Sequence, residues 1–233
     1  MTSIEPRRVP AILAIGRNYA EHAREMGASA PEAPPPHPMV FMKNPAAIIG
    51  DGETIIIPRC CADPDSGGPE QVDYEGELAV IIGRACRDAT ERSALGFVGG
   101  YAAANDVSAR WWQRHGSGGQ FCRGKSFDTF CPIGPVKPAG EVADPSTLRI
   151  VVRLGTEVVQ EDSTANMLFP VPRLIAELSR GTTLLPGTVI LTGTPAGVGS
   201  ARKPPRWLRA GDVVEVAIEG VGRVRNSVAA EAG

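Results

Sequence analysis

Glu75 and Glu77 stand two apart in the run Val72-Asp73-Tyr74-Glu75-Gly76-Glu77-Leu78-Ala79-Val80-Ile81-Ile82-Gly83. On a strand, side chains two apart share a face, so the two carboxylates project together and Asp73 is placed to join them. The apolar residues that follow suit a strand buried on both faces. Two acids side by side at the head of such a strand are costly unless a positive charge lies between them. A hard divalent cation with oxygen ligands meets that need; a solvated strand end whose acids face water has the same spacing. Asp106 closes the small-residue run from Gly99 to Asn105. An acid there can meet those of a neighbouring strand and complete a three-oxygen set with open positions for water and substrate, or it caps a helix that starts at Val107 or Ser108.

Asn18-Tyr19-Ala20-Glu21-His22-Ala23-Arg24-Glu25-Met26 reads as a helix with Gly27 placed to stop it, and it sets His22 and Glu25 on one face. A histidine oriented by a carboxylate is the usual base for activating water; an exposed helical face of mixed charge has the same pattern. Of the three histidines, His37 falls in a proline-rich loop and His115 in a glycine-rich one, which leaves His22 on a rigid element. Lys125 follows the glycine-rich loop, where an ammonium can neutralise an enolate or carboxylate or simply face solvent. LTGTPAGVG (Leu191 to Gly199) exposes backbone N–H groups and threonine hydroxyls that suit an anion. It lacks the G-K-[ST] of a Walker loop, and a plain structural turn has the same composition.

Strands must hold these residues. Glycine and proline, 27 and 21 of 233 residues, exceed the roughly 12% that the two together usually make up. In a helix interior glycine costs roughly 1 kcal/mol and proline roughly 3 kcal/mol, so the composition argues against an all-α fold and turn-rich β structure is expected. Strands are expected over 48–49, 54–57, 77–82, 98–104, 148–154, 188–191 and 213–218, with helices over 18–26, 89–95 and 172–180. That pattern is an α+β, mainly β class with a few short helices. Loops rich in proline or glycine, 28–38 and 115–119, are candidate lids, and a third polar loop runs from 60 to 72.

Charge and composition remove other classes. Lys+Arg number 24 against Asp+Glu 26, for a net charge of -2, so no nucleic-acid partner is expected. No apolar run reaches the roughly 18 residues of a membrane span. The charged start, Met1 to Arg8, is not followed by the apolar region of a secretory signal, so a cytoplasmic protein is expected. Five cysteines without C-x-x-C spacing argue against a disulfide framework or a zinc knuckle.

Taken in order, GRNYAEHAREMG (Gly16 to Gly27), FMKNP (Phe41 to Pro45), DYEGELAVIIG (Asp73 to Gly83), GYAAANDVSAR (Gly100 to Arg110), GKSFDTFCPIGP (Gly124 to Pro135) and LTGTPAGVG, with Gly211-Asp212 beyond, resemble the fumarylacetoacetate hydrolase family in its short form, typified by acylpyruvases. The resemblance implies a mixed β-roll, sandwich-like, in a single catalytic domain over 1–233, with 1–40 as N-terminal helix and lid, and a homodimer. It implies Mg²⁺ or Mn²⁺, with Ca²⁺ as an alternative occupant, on Glu75, Glu77 and Asp106. His22, Glu25 and Lys125 become catalytic residues, and Arg17, Tyr19, Arg110, Gln113, Lys125 and Thr194 contact a small oxo-acid substrate. The implied reaction is hydrolysis of a carbon–carbon bond in an acylpyruvate or fumarylpyruvate. Water activated by His22 attacks the distal carbonyl and a pyruvate enolate departs. Decarboxylation of oxaloacetate, or isomerisation of a 2-hydroxy-diene-dioate, would use the same machinery; a non-catalytic metal-stabilised β protein is the alternative from another class. Two features depart from the pattern: the stretch between Pro58 and Asp73 is longer than in compact relatives, and the Trp111-Trp112 pair is bulkier than expected there.

Overall fold

Short β-branched runs punctuated by glycine and proline become strands throughout the computed structural model, which describes residues 4–5, 8–27, 35–61 and 71–232. In chain order the first half contains β1 (Ile12–Gly16), α1 (Ala20–Glu25), β2 (Met39–Lys43), β3 (Ile48–Ile49), β4 (Thr54–Ile57), β5 (Val72–Asp73), β6 (Gly76–Ile82), α2 (Glu91–Ala94), β7 (Val98–Asn105) and β8 (Ser108–Ala109). A π-helical turn, Trp112–Gly116, leads to α3 (Phe121–Lys125), β9 (Cys131–Pro132), β10 (Lys137–Pro138), β11 (Arg149–Leu154), β12 (Glu157–Ser163), α4 (Val171–Ser179), β13 (Val189–Leu191), β14 (Val213–Ile218) and β15 (Gly222–Ala230). The α+β, mainly β expectation is met, and every expected strand is present.

Four strands of three residues or more were not expected, β1, β2, β12 and β15. β15 does alternate, burying Val224, Asn226 and Val228 and exposing Arg223, Arg225 and Ser227, but the buried asparagine and flanking arginines disguise the pattern. The expected loop at 115–119 begins inside the π-helical turn. Residues 28–34 of the first expected lid and 62–70 of the third loop lie outside the described residues. Among the described residues no helix is long and apolar enough to cross a membrane.

Two mixed sheets carry the molecule. One runs β10-β7-β6-β13-β1-β2 and the other β12-β11-β14-β15-β4. In the first, β6 and β7 are antiparallel with Glu77 opposite Ala104 and Gly76 opposite Asn105, which brings Glu75, Glu77 and Asp106 to one strand end. β13 is antiparallel to β6, Leu191 opposite Ala79, so the turn after Leu191 arrives beside Glu77. β1 is parallel to β13, and it delivers α1 to the same end.

The period of two divides the work of this motif. Glu75 and Glu77 face the site, whereas Gly76 and Leu78 face the second sheet. A Cβ at Gly76 would lie 2.2 Å from Val152 Cγ2 and 3.2 Å from Val216 Cγ1, so the glycine sets how closely the two sheets approach. Gly76→Ala is expected to destabilise the fold by about 1–3 kcal/mol, the usual cost of overpacking. Urea unfolding followed by circular dichroism checks this through a lowered midpoint with an unchanged slope; an unchanged midpoint would mean the sheets can separate without cost.

Candidate active site

Glu75, Glu77 and Asp106 form a buried triad in which one ligand oxygen from each lies within 4.8 Å of the others. Asp73 does not join it. Its carboxylate accepts hydrogen bonds from the N–H groups of Gly199 (2.7 Å) and Ser200 (3.0 Å) and from Arg110 Nε (2.8 Å), tying the last turn of the site to its floor. Nor does Asp106 cap a helix, because the chain continues into β8. Its two oxygens instead accept from Lys43 Nζ (2.5 Å) and Lys125 Nζ (2.6 Å).

Lys125 reaches the triad from the end of α3 and bridges Asp106 to Glu75 Oε2, also at 2.6 Å. Arg110 Nη1 takes the other oxygen of Glu75 at 2.7 Å. Burial works against ionisation of Glu75, but Lys125 and Arg110 overcome it and hold its carboxyl down at about 2. Glu77 goes the other way: burial, then the neighbouring Asp106 and Glu75, push its carboxyl well above the usual carboxylate range, against one N–H donated by Gly193 at 2.7 Å. Burial would lower the Lys125 ammonium, yet Asp106 and Glu75 raise it. Three hard oxygen donors, one of which favours its neutral form because its neighbours repel its charge, fit a divalent metal ion.

α1 supplies the second element. His22 is buried, and its Nδ1 lies 2.8 Å from Glu25 Oε1. The other oxygen of Glu25 accepts the Gly197 N–H at 2.9 Å, so the carboxylate is fixed before it fixes the ring. A neutral imidazole that donates Nδ1–H to Glu25 leaves the Nε2 lone pair for the cavity that His22 lines.

That cavity has a volume of about 350 Å³, within the size range of small-ligand sites. Arg17, His22, Glu75, Arg110, Gln113, Lys125 and Thr194 all line it. Glu25, Glu77 and Asp106 sit behind that lining. Tyr19 does not line it: the ring is 1% exposed, its hydroxyl finds no partner, and burial with nearby Asp162 and Glu77 raises its phenol. Thr194 Oγ1 is already engaged, donating to the Gly76 carbonyl at 3.0 Å and accepting from Gln160 Nε2 at 2.9 Å.

Sequence reasoning overlooked Lys43, Gln160 and Arg114. Lys43 had a signal, a lone lysine at the end of the apolar run Met39-Val40-Phe41-Met42, and it is 1% exposed. Gln160 had none, since β12 is polar; its amide also accepts the Gly76 N–H at 3.0 Å.

A buried carboxylate triad, a cation that bridges it and a carboxylate-oriented histidine, gathered at one end of a mixed sheet, define an enzyme site. The chain belongs to the fumarylacetoacetate hydrolase family, since residues 11–229 match the model for the fumarylacetoacetate hydrolase C-terminal region. It is 43% identical over 218 residues to the mitochondrial oxaloacetate tautomerase FAHD2A of Bos taurus, covering 93% of this chain; the chain spans 66% of that relative's length. Among solved structures it is similar to a 5-carboxymethyl-2-hydroxymuconate delta-isomerase from Mycobacterium smegmatis, with a TM-score of 0.79 and 41% identity over 97% of this chain and 80% of that one. It is also similar to the fumarylpyruvate hydrolase of Pseudomonas aeruginosa, solved with Mn²⁺ and pyruvate, with a TM-score of 0.81 and 31% identity over 96% of this chain and 91% of that one.

Proposed function

We propose that this protein interconverts the enol and keto forms of a small 2-oxo diacid of the oxaloacetate type. The observation that carries the reading is His22, oriented by Glu25 behind it, lining the same cavity as Lys125 and Glu75. A single oriented base is what moving one proton between the C2 oxygen and C3 requires. A divalent ion held by Glu75, Glu77 and Asp106, Mg²⁺ or Mn²⁺, would supply Lewis-acid polarisation of the 2-oxo group.

The chain's own residues do the rest. His22 Nε2 takes the enol hydroxyl proton, Glu25 stabilises the resulting imidazolium, and Lys125 balances the enolate charge. His22 then returns the proton to C3, leaving the keto acid. Atoms balance with no water consumed, and the reverse path uses the same groups. The names carried by the bovine relative and the mycobacterial isomerase, both one-proton relocations, support this order of preference.

Hydrolytic carbon–carbon cleavage is the second reading, favoured by the likeness to a hydrolase solved with pyruvate. It asks His22 to deprotonate water rather than substrate. A homodimer is carried with either reading, from the family resemblance.

The test is to follow the ultraviolet absorbance of enol-oxaloacetate with Mg²⁺- or Mn²⁺-loaded protein, and to assay acetylpyruvate and fumarylpyruvate for release of pyruvate and of carbon dioxide. Enol loss faster than the buffer rate, without pyruvate, is expected. Pyruvate and a second acid from an acylpyruvate, with no acceleration of the tautomerisation, would replace this reading by hydrolysis.

A further inference from the structure

Four cationic side chains, Arg17, Arg110, Arg114 and Lys125, line the cavity, against Glu75 as the lining carboxylate. Arg110 and Lys125 have their counter-ions in Asp73, Glu75 and Asp106. Arg17 and Arg114 have neither an ion pair nor a side-chain hydrogen bond among the described residues. Asp73 cannot serve Arg114, because its oxygens already accept from Arg110 and from the N–H groups of Tyr74, Gly199 and Ser200. Arg114 is exposed at the cavity, and partial burial, then the Arg110 guanidinium, lower its pKa while Asp73 acts the other way. The cavity therefore presents positive charge that the protein itself does not neutralise.

Arg114 is also held in place. It belongs to the π-helical turn Trp112–Gly116, whose neighbour Gln113 lines the same cavity. Trp111 and Trp112 meet edge to face with ring centroids 5.2 Å apart, and Gly116 packs against both: a Cβ there would lie 2.3 Å from Trp112 and 2.6 Å from Trp111. The Trp112 indole N–H donates to the Cys60 carbonyl, and Ser117 Oγ closes the turn by donating to the Trp112 carbonyl at 2.9 Å. The tryptophan pair, out of place by sequence, clamps a turn that aims an unpaired guanidinium at the site. π turns concentrate at such positions.

We propose that Arg114 is the specificity-determining residue for the far end of the substrate, its guanidinium, with Arg17 in the same cavity, binding the distal carboxylate of a 2-oxo diacid. The proposal rests on the substrate class given above and adds the residue that selects it. A guanidinium pairs with a carboxylate through two parallel N–H donors, and an ester or neutral acyl end removes the charge that makes such bonds strong.

Binding, rather than turnover, isolates this contact. Dissociation constants for 2-oxoglutarate and its 5-methyl ester, measured by calorimetry on the Mn²⁺-loaded protein, share the 2-oxo-carboxylate head and differ at the far end. The wild type is expected to favour the diacid by about tenfold or more, the worth of one charge-assisted contact. In Arg114→Gln the ratio falls toward one, and in Arg114→Lys most of it returns. Equal constants in the wild type, or an unchanged ratio in Arg114→Gln, overturn the proposal. A wild type that prefers the diacid but does not tautomerise oxaloacetate keeps the clamp and removes the reaction. One that tautomerises oxaloacetate, with an unchanged ratio in Arg114→Gln, does the reverse.

Discussion

His22→Ala is expected to lower kcat for enol–keto conversion by roughly 10²–10⁴, the usual contribution of a positioned general base, with a much smaller change in KM. The split follows from the geometry. The cations Lys125, Arg110 and Arg17 that meet the substrate's charge remain in the variant, so ground-state binding survives while the proton carrier is gone. Glu25→Gln separates two parts of the dyad. A glutamine has one acceptor oxygen for the two donors, the Gly197 N–H and the Nδ1–H of His22, that the two oxygens of Glu25 take up, and it carries no charge to stabilise the imidazolium, so its loss in kcat should fall between wild type and His22→Ala. Steady-state kinetics on both variants, with thermal unfolding to establish that they are folded, decide the matter. A kcat within twofold of wild type for His22→Ala would remove His22 from the chemistry and turn attention to Lys125, which lines the same cavity.

Much of this site was legible because it is written in strand periodicity. Glu75 and Glu77 share a face for a reason that needs no tertiary knowledge, and the small residues from Gly99 to Ala104 announced a strand that others approach closely. His22 and Glu25 were legible from helix spacing. What one sequence could not show is which charges cancel. Asp73 has the same two-residue spacing as its neighbours, yet β5 pairs with β8 rather than continuing β6, and that pairing hands Asp73 to Arg110. Gln160 reaches Gly76 from the other sheet, and Lys43 reaches Asp106 from the edge strand of the same sheet, relations carried by topology. Trp111 and Trp112 read as an anomaly because a five-residue π turn has no periodic signature, and Arg114, exposed yet lining the cavity, carries no sequence signal that separates it from other surface arginines.

Removing divalent metal is expected to abolish turnover and to lower Tm, and the argument turns on Lys125. In the triad, burial, then Asp106 and Glu75, push Glu77 toward its neutral form, so a further positive charge in the cluster relieves repulsion that Lys43, Arg110 and Lys125 leave. Mn²⁺ at a hundredfold excess over its Kd stabilises the folded state by about 2.7 kcal/mol, which for a chain of this size raises Tm by roughly 5–10 °C. Lys125→Met tests whether ammonium and metal substitute for one another. Without metal the variant leaves Glu75 with Arg110 and Asp106 with Lys43, each short of one partner. Breaking a buried pair costs about 3–5 kcal/mol when nothing replaces it, and the remaining cations hold the loss below that. Because the metal supplies charge to the same carboxylates, adding Mn²⁺ should raise the Tm of Lys125→Met by more than that of the wild type. An equal rise in both would mean that the lysine and the metal act independently, and no rise in either, with turnover unaffected by chelator, would reduce the triad to an ion-pair network.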